Sequence, residues 1–192
     1  MPEIKAVRRY QQLFTVFLFL LLLFAAFELS GLREHFSLDF LRHRIIEHQR
    51  SGLLVFVLLF CLGNLIQVPG WLFLAAAVLA LGQFWGGVVT YVAASISCVF
   101  TFLTIRWIGG AALRKLNSRI VTGLLGKLDA QPVTSIFFLR ILFQTVPALN
   151  YTLAMSGVGF REYLVGTLLG LPLPIALYCI FFEYLARALG IA

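Results

Sequence analysis

Arg140 is the residue with the most chemistry to account for. It stands within Ile136–Val146, a stretch with no other charge. By insertion scales a guanidinium near the centre of a bilayer costs about 2.5–3.5 kcal/mol, so such a residue faces a cavity or a partner. Its fork of donors matches phosphate or carboxylate. Two readings stay open: a counter-charge for an anionic ligand, or a residue that snorkels or pairs with Asp129 or Glu183. Around Pro147 lie Gln144, Thr145, Asn150 and Tyr151, and around Pro69 lie Asn64 and Gln67. A helix broken inside a membrane leaves backbone groups that must face protein or water, and neutral polar side chains beside the break suit a wet cavity. Each alone could also cap a helix end. The expected ligand-binding set is Arg140, Asn150, Gln144, Asn64, Gln67 and Tyr151, with Arg106 as a further basic position that snorkelling also explains. Pro69, Gly70, Pro147 and Gly157 are the expected structural breaks.

The elements that would carry these residues follow from composition. Of 192 residues 61% are hydrophobic and 12% charged, and the mean hydropathy is +0.97. Soluble domains are roughly 45–50% apolar and about 25% charged. A core of this size cannot hide the surplus, so lipid must cover it. The formal charge of +7 comes from basic residues between apolar segments, as in cytoplasmic loops that meet anionic headgroups. Nucleic acid is not an expected partner.

Residues 1–51 are expected to form one spanning helix over about residues 10–29, retained rather than cleaved, and a short interfacial helix. The interfacial segment holds all three histidines, but His43-Arg44-Ile45-Ile46-Glu47-His48 is neither HExxH nor HxxEH, so no metal is expected. Cys61, Cys98 and Cys179 lie within apolar runs and read as small buried hydrophobes.

Residues 52–192 read as a membrane domain. Two apolar pieces on either side of Pro69-Gly70 are each shorter than the roughly 20 helical residues needed to cross. They predict a re-entrant hairpin over 53–81, followed by a span over 84–106. A basic amphipathic helix over 110–130 follows. A second hairpin over 133–158 and a span over 161–187, kinked at Pro172 and Pro174, complete the chain. The layout "short, break, short, long" occurs twice, which predicts an inverted repeat with a central site. The fold class is thus all-α polytopic: three spanning helices, two facing re-entrant hairpins and interfacial amphipathic helices. With the N-terminus cytoplasmic, the inner set is Lys5, Arg8, Arg9, Arg106, Arg114, Lys115, Arg119, Lys127 and Arg161. The outer set is Arg33, Arg42, Arg44, Arg50 and Arg187. This bias follows the positive-inside rule. Glu28 and Glu183 read as interfacial acids. No GxSxG, P-loop or paired intramembrane aspartate is present, so no enzyme activity and no cofactor are expected.

Phe138-Leu139-Arg140, Pro147, Asn150-Tyr151, Gly157-Val158-Gly159-Phe160, Tyr163, Gly166-Thr167 and Gly170 resemble the second conserved block of the DedA, or SNARE-associated Golgi protein, family (VTT domain). Pro69-Gly70, Gly82, Gly86-Gly87 and Arg106-x-x-Gly109 resemble its first block more loosely. The resemblance implies a bundle with two facing re-entrant hairpins. It also implies movement of lipids between leaflets, as in undecaprenyl phosphate recycling or phospholipid scrambling. Arg140 would contact phosphate, and Arg106 would match a second basic position. Bacterial members carry acids around the first hairpin that are tied to proton coupling. Here Asn64 and Gln67 take that place, and no acid lies between Glu47 and Asp129. The expected function is a lipid translocase or scramblase in a bacterial inner membrane, with membrane lipids as partners and a homo-oligomer possible in principle. An ion or small-solute transporter using the same cavity is the alternative, and a non-transporting scaffold is a third reading.

Overall fold

A computed structural model describes residues 14–15, 18–19, 21–22, 25, 49–111, 113, 119–143, 146 and 148–188. Most of the expected first span, the histidine-bearing interfacial segment, Arg114, Lys115, Gln144, Thr145 and Pro147 lie outside them. The described residues are all-helical, with no strand among them.

Among the described residues, seven helices follow the N-terminal region: α1 (Gln49–Leu65), α2 (Gly70–Gly109), α3 (Arg119–Ala130), α4 (Pro132–Phe143), α5 (Ala148–Met155), α6 (Phe160–Gly170) and α7 (Pro172–Ala188). Two stretches are long and apolar enough to cross a membrane, Gly70–Gly109 and Phe160–Ala188.

The 40 residues of α2 are not one rod. Gly82 has φ 78° and ψ 173°, a conformation that side chains on Cβ resist. A Cβ on Gly86 would lie 2.7 Å from the Cα of Val78. Residues eight apart along one helix are about 12 Å apart, so the chain folds back at Gly82. The first arm of α2 therefore returns along its second arm, and the second arm, at about 1.5 Å per residue, is about 40 Å long. Pro69 sits at the N-cap of α2 with extended backbone, where its missing N–H costs nothing. Between α1 and α2 the turn places Gln67 at φ 68°.

The second half repeats the plan. α4 and α5 are 12 and 8 residues long, and the chain reverses into α6 at Gly157, φ 84°. The polypeptide bends at Leu171 between α6 and α7, where Pro172 and Pro174 supply no backbone donor. Of the amphipathic helix expected over 110–130, α3 covers Arg119–Ala130; it buries Leu125 and Leu128 and exposes Lys127 and Asp129.

Two cores hold these pieces. Phe56, Phe60, Phe73, Ala93, Ala94 and Ile175 join α1, both arms of α2 and α7. Phe102, Ile105, Leu128, Ile136, Leu153 and Tyr163 join the second arm of α2 to α3, α4, α5 and α6. Cys61, Cys98 and Cys179 are buried free thiols, as the sequence suggests.

Candidate functional site: a buried arginine where the hairpins meet

Arg140 reaches its position because α6 offers glycine at Gly166 and Gly170, one turn apart. A Cβ at Gly166 would lie 2.8 Å from the Cβ of Ile136, and one at Gly170 would lie 2.7 Å from the Cβ of Arg140. Small residues at this spacing let helix backbones approach closely. α4 thus lies directly on α6, and the guanidinium is directed along α6 at residues 163 and 167.

Arg140 is only 2% exposed. Its Nη2 donates to the Tyr163 hydroxyl at 2.8 Å and to Thr167 Oγ1 at 3.2 Å, and its Nε donates to Thr167 Oγ1 at 3.3 Å. The guanidinium carbon stands 5.4 Å from the centroid of the Tyr163 ring. No carboxylate lies within ion-pair reach of Arg140 among the described residues; the ion pair seen there is Glu183 with Arg187. A full positive charge is therefore held inside the bundle by neutral oxygens, an aromatic face and the neighbouring Cys98 side chain. Those groups offset part of the desolvation cost, and a carboxylate or phosphate would offset much more.

From Arg140 the polar groups continue into the first hairpin. The Tyr163 hydroxyl donates to the Cys98 carbonyl at 2.9 Å and lies 3.4 Å from Asn150 Oδ1. Asn150 Nδ2 donates to Asn64 Oδ1 at 3.0 Å. Asn64 Nδ2 donates to Ser97 Oγ at 2.9 Å, and Ser97 donates to the Phe60 carbonyl at 3.2 Å. Every side chain in this series is buried. The two hairpins therefore meet through Asn64 and Asn150, as the sequence anticipates. They meet as a packed network and not as the expected open polar groove, because Asn150 donates to Asn64 while Ser97 accepts from Asn64 and the Tyr163 hydroxyl faces Asn150 Oδ1. The arrangement is closed in this conformation.

Tyr151 and Arg106 are engaged with backbone. The Tyr151 hydroxyl bonds to the carbonyls of Asn64 and Leu65, at the end of α1, and Gln67 reaches the same hydroxyl. Arg106 donates to the carbonyls of Ala154 at 2.7 Å and Val158 at 2.8 Å. These are carbonyls that the ends of α1 and α5 leave without helical partners. The Phe102 and Tyr163 rings stack at 4.1 Å between centroids, and Arg106 lies 5.4 Å from the Phe102 centroid. The two aromatic rings thus separate the two arginines.

Sequence reasoning missed Tyr163, Thr167 and Ser97. A tyrosine in an apolar helix needs a partner for its hydroxyl. Tyr163 and Thr167 are four residues apart on one helical face, and that spacing was the available signal.

An apolar helical bundle with two stretches long enough to cross a membrane points to an integral membrane protein. A family model described as the VTT domain matches residues 68–184. The chain belongs to that family, the DedA/SNARE-associated Golgi family. No curated protein and no solved structure matches the chain at significant similarity.

Proposed function

We propose that this protein moves phosphate-bearing lipids, a polyprenyl phosphate or a phospholipid, between the leaflets of a bacterial cell membrane. The observation that carries the reading is Arg140: a charge buried at the junction of the two hairpins, with the neutral Tyr163 and Thr167 hydroxyls, an aromatic face and the Cys98 thiol around it and no carboxylate partner among the described residues. A phosphate entering there gains a bidentate, charge-assisted partner in place of Tyr163 and Thr167. Membership of the VTT-domain family supports the same reading.

The hairpins are re-entrant in this proposal. α1, at 17 residues, is about 25 Å long and α4, at 12, about 18 Å; both fall short of a hydrocarbon core of about 30 Å. The ends of the molecule support the inferred orientation. Arg106 lies with Ala154 and Val158, at the face assigned to the cytoplasm. Gln83 lies with Glu183 and Arg187, at the face assigned to the outside. The N-terminus is cytoplasmic in this arrangement, and α3 rests its basic face on anionic headgroups. A headgroup reaches Arg140 when the hairpin tips part, breaking the Asn64–Asn150 bond, while the tail stays in lipid. No bond is made or broken in the lipid, so the role is transport and not catalysis.

Reconstitution tests this. Vesicles containing the protein should speed leaflet exchange of a fluorescent phospholipid or a labelled polyprenyl phosphate, and Arg140→Ala should abolish the gain while keeping the wild-type elution profile. A wild-type rate in that variant sinks the proposal. Solute uptake without lipid exchange would transfer the site to a small-solute transporter.

A further inference from the structure

A second feature lies on the outside of the bundle, away from Arg140. The second arm of α2 and α7 diverge to leave a groove of about 540 Å³. Exposed Phe84, Val88, Ala176 and Ile180 line it together with Gly87 and Tyr91, and the buried Ile175 and Cys179 lie beneath them. The Tyr91 hydroxyl is committed elsewhere, donating to the Leu168 carbonyl at 3.1 Å, so the groove presents hydrocarbon. A smaller polar recess of about 270 Å³, lined by Glu183, Tyr184 and Arg187, shares Gln83 and Ile180 with it. The two adjoin at Gln83 and Ile180, so that the apolar groove and the charged recess can be read as one channel with a charged mouth.

What fills the channel follows from where it lies. Phe84 and Ile180 are 73% and 57% exposed, on the surface that meets lipid. An apolar concavity cannot hold water, which needs polar partners, and an empty one forfeits packing contacts along its whole wall. Its occupant is hydrocarbon. The length agrees: Pro172 to Glu183 spans about 16 Å along α7 at about 1.5 Å per residue, and one leaflet is half of a core of about 30 Å. A chain of one leaflet's depth thus runs from the membrane surface to the bend at Leu171.

The mouth selects the headgroup. Glu183 and Arg187 form an i,i+4 ion pair. An anionic head would bring its phosphate to Arg187 but meet the like charge of Glu183. A head with both charges satisfies the two residues together. We propose that this channel is a binding site for a zwitterionic phospholipid, with one acyl chain between α2 and α7, its phosphate on Arg187 and its ammonium on Glu183. The site does not depend on translocation at Arg140.

The test uses the full chain in nanodiscs with diazirine-acyl phosphatidylethanolamine or the matching phosphatidylglycerol. Adducts should concentrate on residues 83–91 and 172–180, with phosphatidylethanolamine labelling the groove at least about tenfold better, a ratio worth about 1.4 kcal/mol. Ala176→Phe, which puts a ring into the groove from its lining, should remove groove adducts while leaving adducts elsewhere unchanged. Glu183→Gln should bring the two lipids to parity. Adducts spread evenly around the bundle, or unchanged in Ala176→Phe, would overturn the site. So would crosslinking of the groove to residues 10–29 of the same chain, which would make that segment the occupant. Equal labelling by both lipids in the wild type would overturn the headgroup assignment. If Arg140→Ala retains the groove adducts, the two sites are separate whatever happens to exchange.

Discussion

Asn150 donates its side-chain amide to the side-chain oxygen of Asn64 at 3.0 Å, across 86 residues of sequence. Each asparagine belongs to a different hairpin, and their bond is the side-chain amide contact between the halves, beside the bonds that Tyr151 makes to the end of α1. In the proposed transport cycle this contact must break and reform, so its strength would set how readily the bundle opens.

A double-mutant cycle on Asn64→Ala and Asn150→Ala measures it. Interhelical hydrogen bonds in membrane bundles average about 0.6 kcal/mol and reach about 1.7. The expected coupling lies in that range, read from thermal or denaturant unfolding in detergent. Strict additivity would mean that the two amides act separately.

Arg140→Lys should fail to restore leaflet exchange. The ammonium is a point charge on a flexible stem, and it cannot span Tyr163 and Thr167 as the planar fork does. Loss of a charge-assisted hydrogen bond is worth about 1.5–3 kcal/mol, so exchange should fall by about tenfold or more. Wild-type exchange by the lysine variant would show that charge alone suffices.

Gly170→Ala tests the close approach of α4 to α6. The added methyl meets the Cβ of Arg140 at 2.7 Å and the Phe137 carbonyl at 3.0 Å, and both belong to packed helices that cannot yield cheaply. Overpacking of this kind costs about 1–3 kcal/mol. A melting point equal to wild type would place slack where the structure has none. Gly123→Ala, with nothing near its added methyl, is the control.

Arg106→Gln should lower stability and spare lipid recognition. The two carbonyls it serves lose a charged donor, at about 1–3 kcal/mol, while Arg140 keeps its own partners. The check is exchange per folded molecule, which should stay within about twofold of wild type, well inside the tenfold that 1.4 kcal/mol represents. A loss matching that of Arg140→Ala would make Arg106 part of the phosphate site.

Exchange should also be indifferent to a pH gradient. No acid lies between Glu47 and Asp129, and the hydrogen-bonded series from Arg140 to Ser97 contains neutral groups after the arginine. A rate that rises with an imposed proton gradient would require a titrating group outside that series.

The breaks between the helices were legible in the sequence because their signals are local. Pro69-Gly70, Gly82 and Gly157 interrupt apolar runs, and each stands at a turn in the structure. Arg140, Asn64, Asn150 and Tyr151 were visible because a polar group in a long apolar run is costly wherever it sits. Their partners were not. Tyr163, Thr167 and Ser97 look like ordinary helix residues, and only the packing of α6 on α4, and of α1 on α2, brings them to the arginine and the amides. Whether those groups line a groove or bond to one another is a property of the assembled tips. The lateral channel was invisible for a similar reason: its walls come from helices about ninety residues apart, and nothing in either stretch marks it.

The reach of the Asn64 contacts has a consequence for synthesis. At about 5–20 residues per second, the 86 residues between the two asparagines take about 4–17 s to make. For that interval the first hairpin has left the ribosome with its polar tip unmet by the second. The nascent chain must wait at the insertion machinery, or be held by a chaperone, until Asn150 arrives. Expressed alone, the first half would offer quality control an unfinished surface, and the two halves supplied as separate fragments should rescue one another.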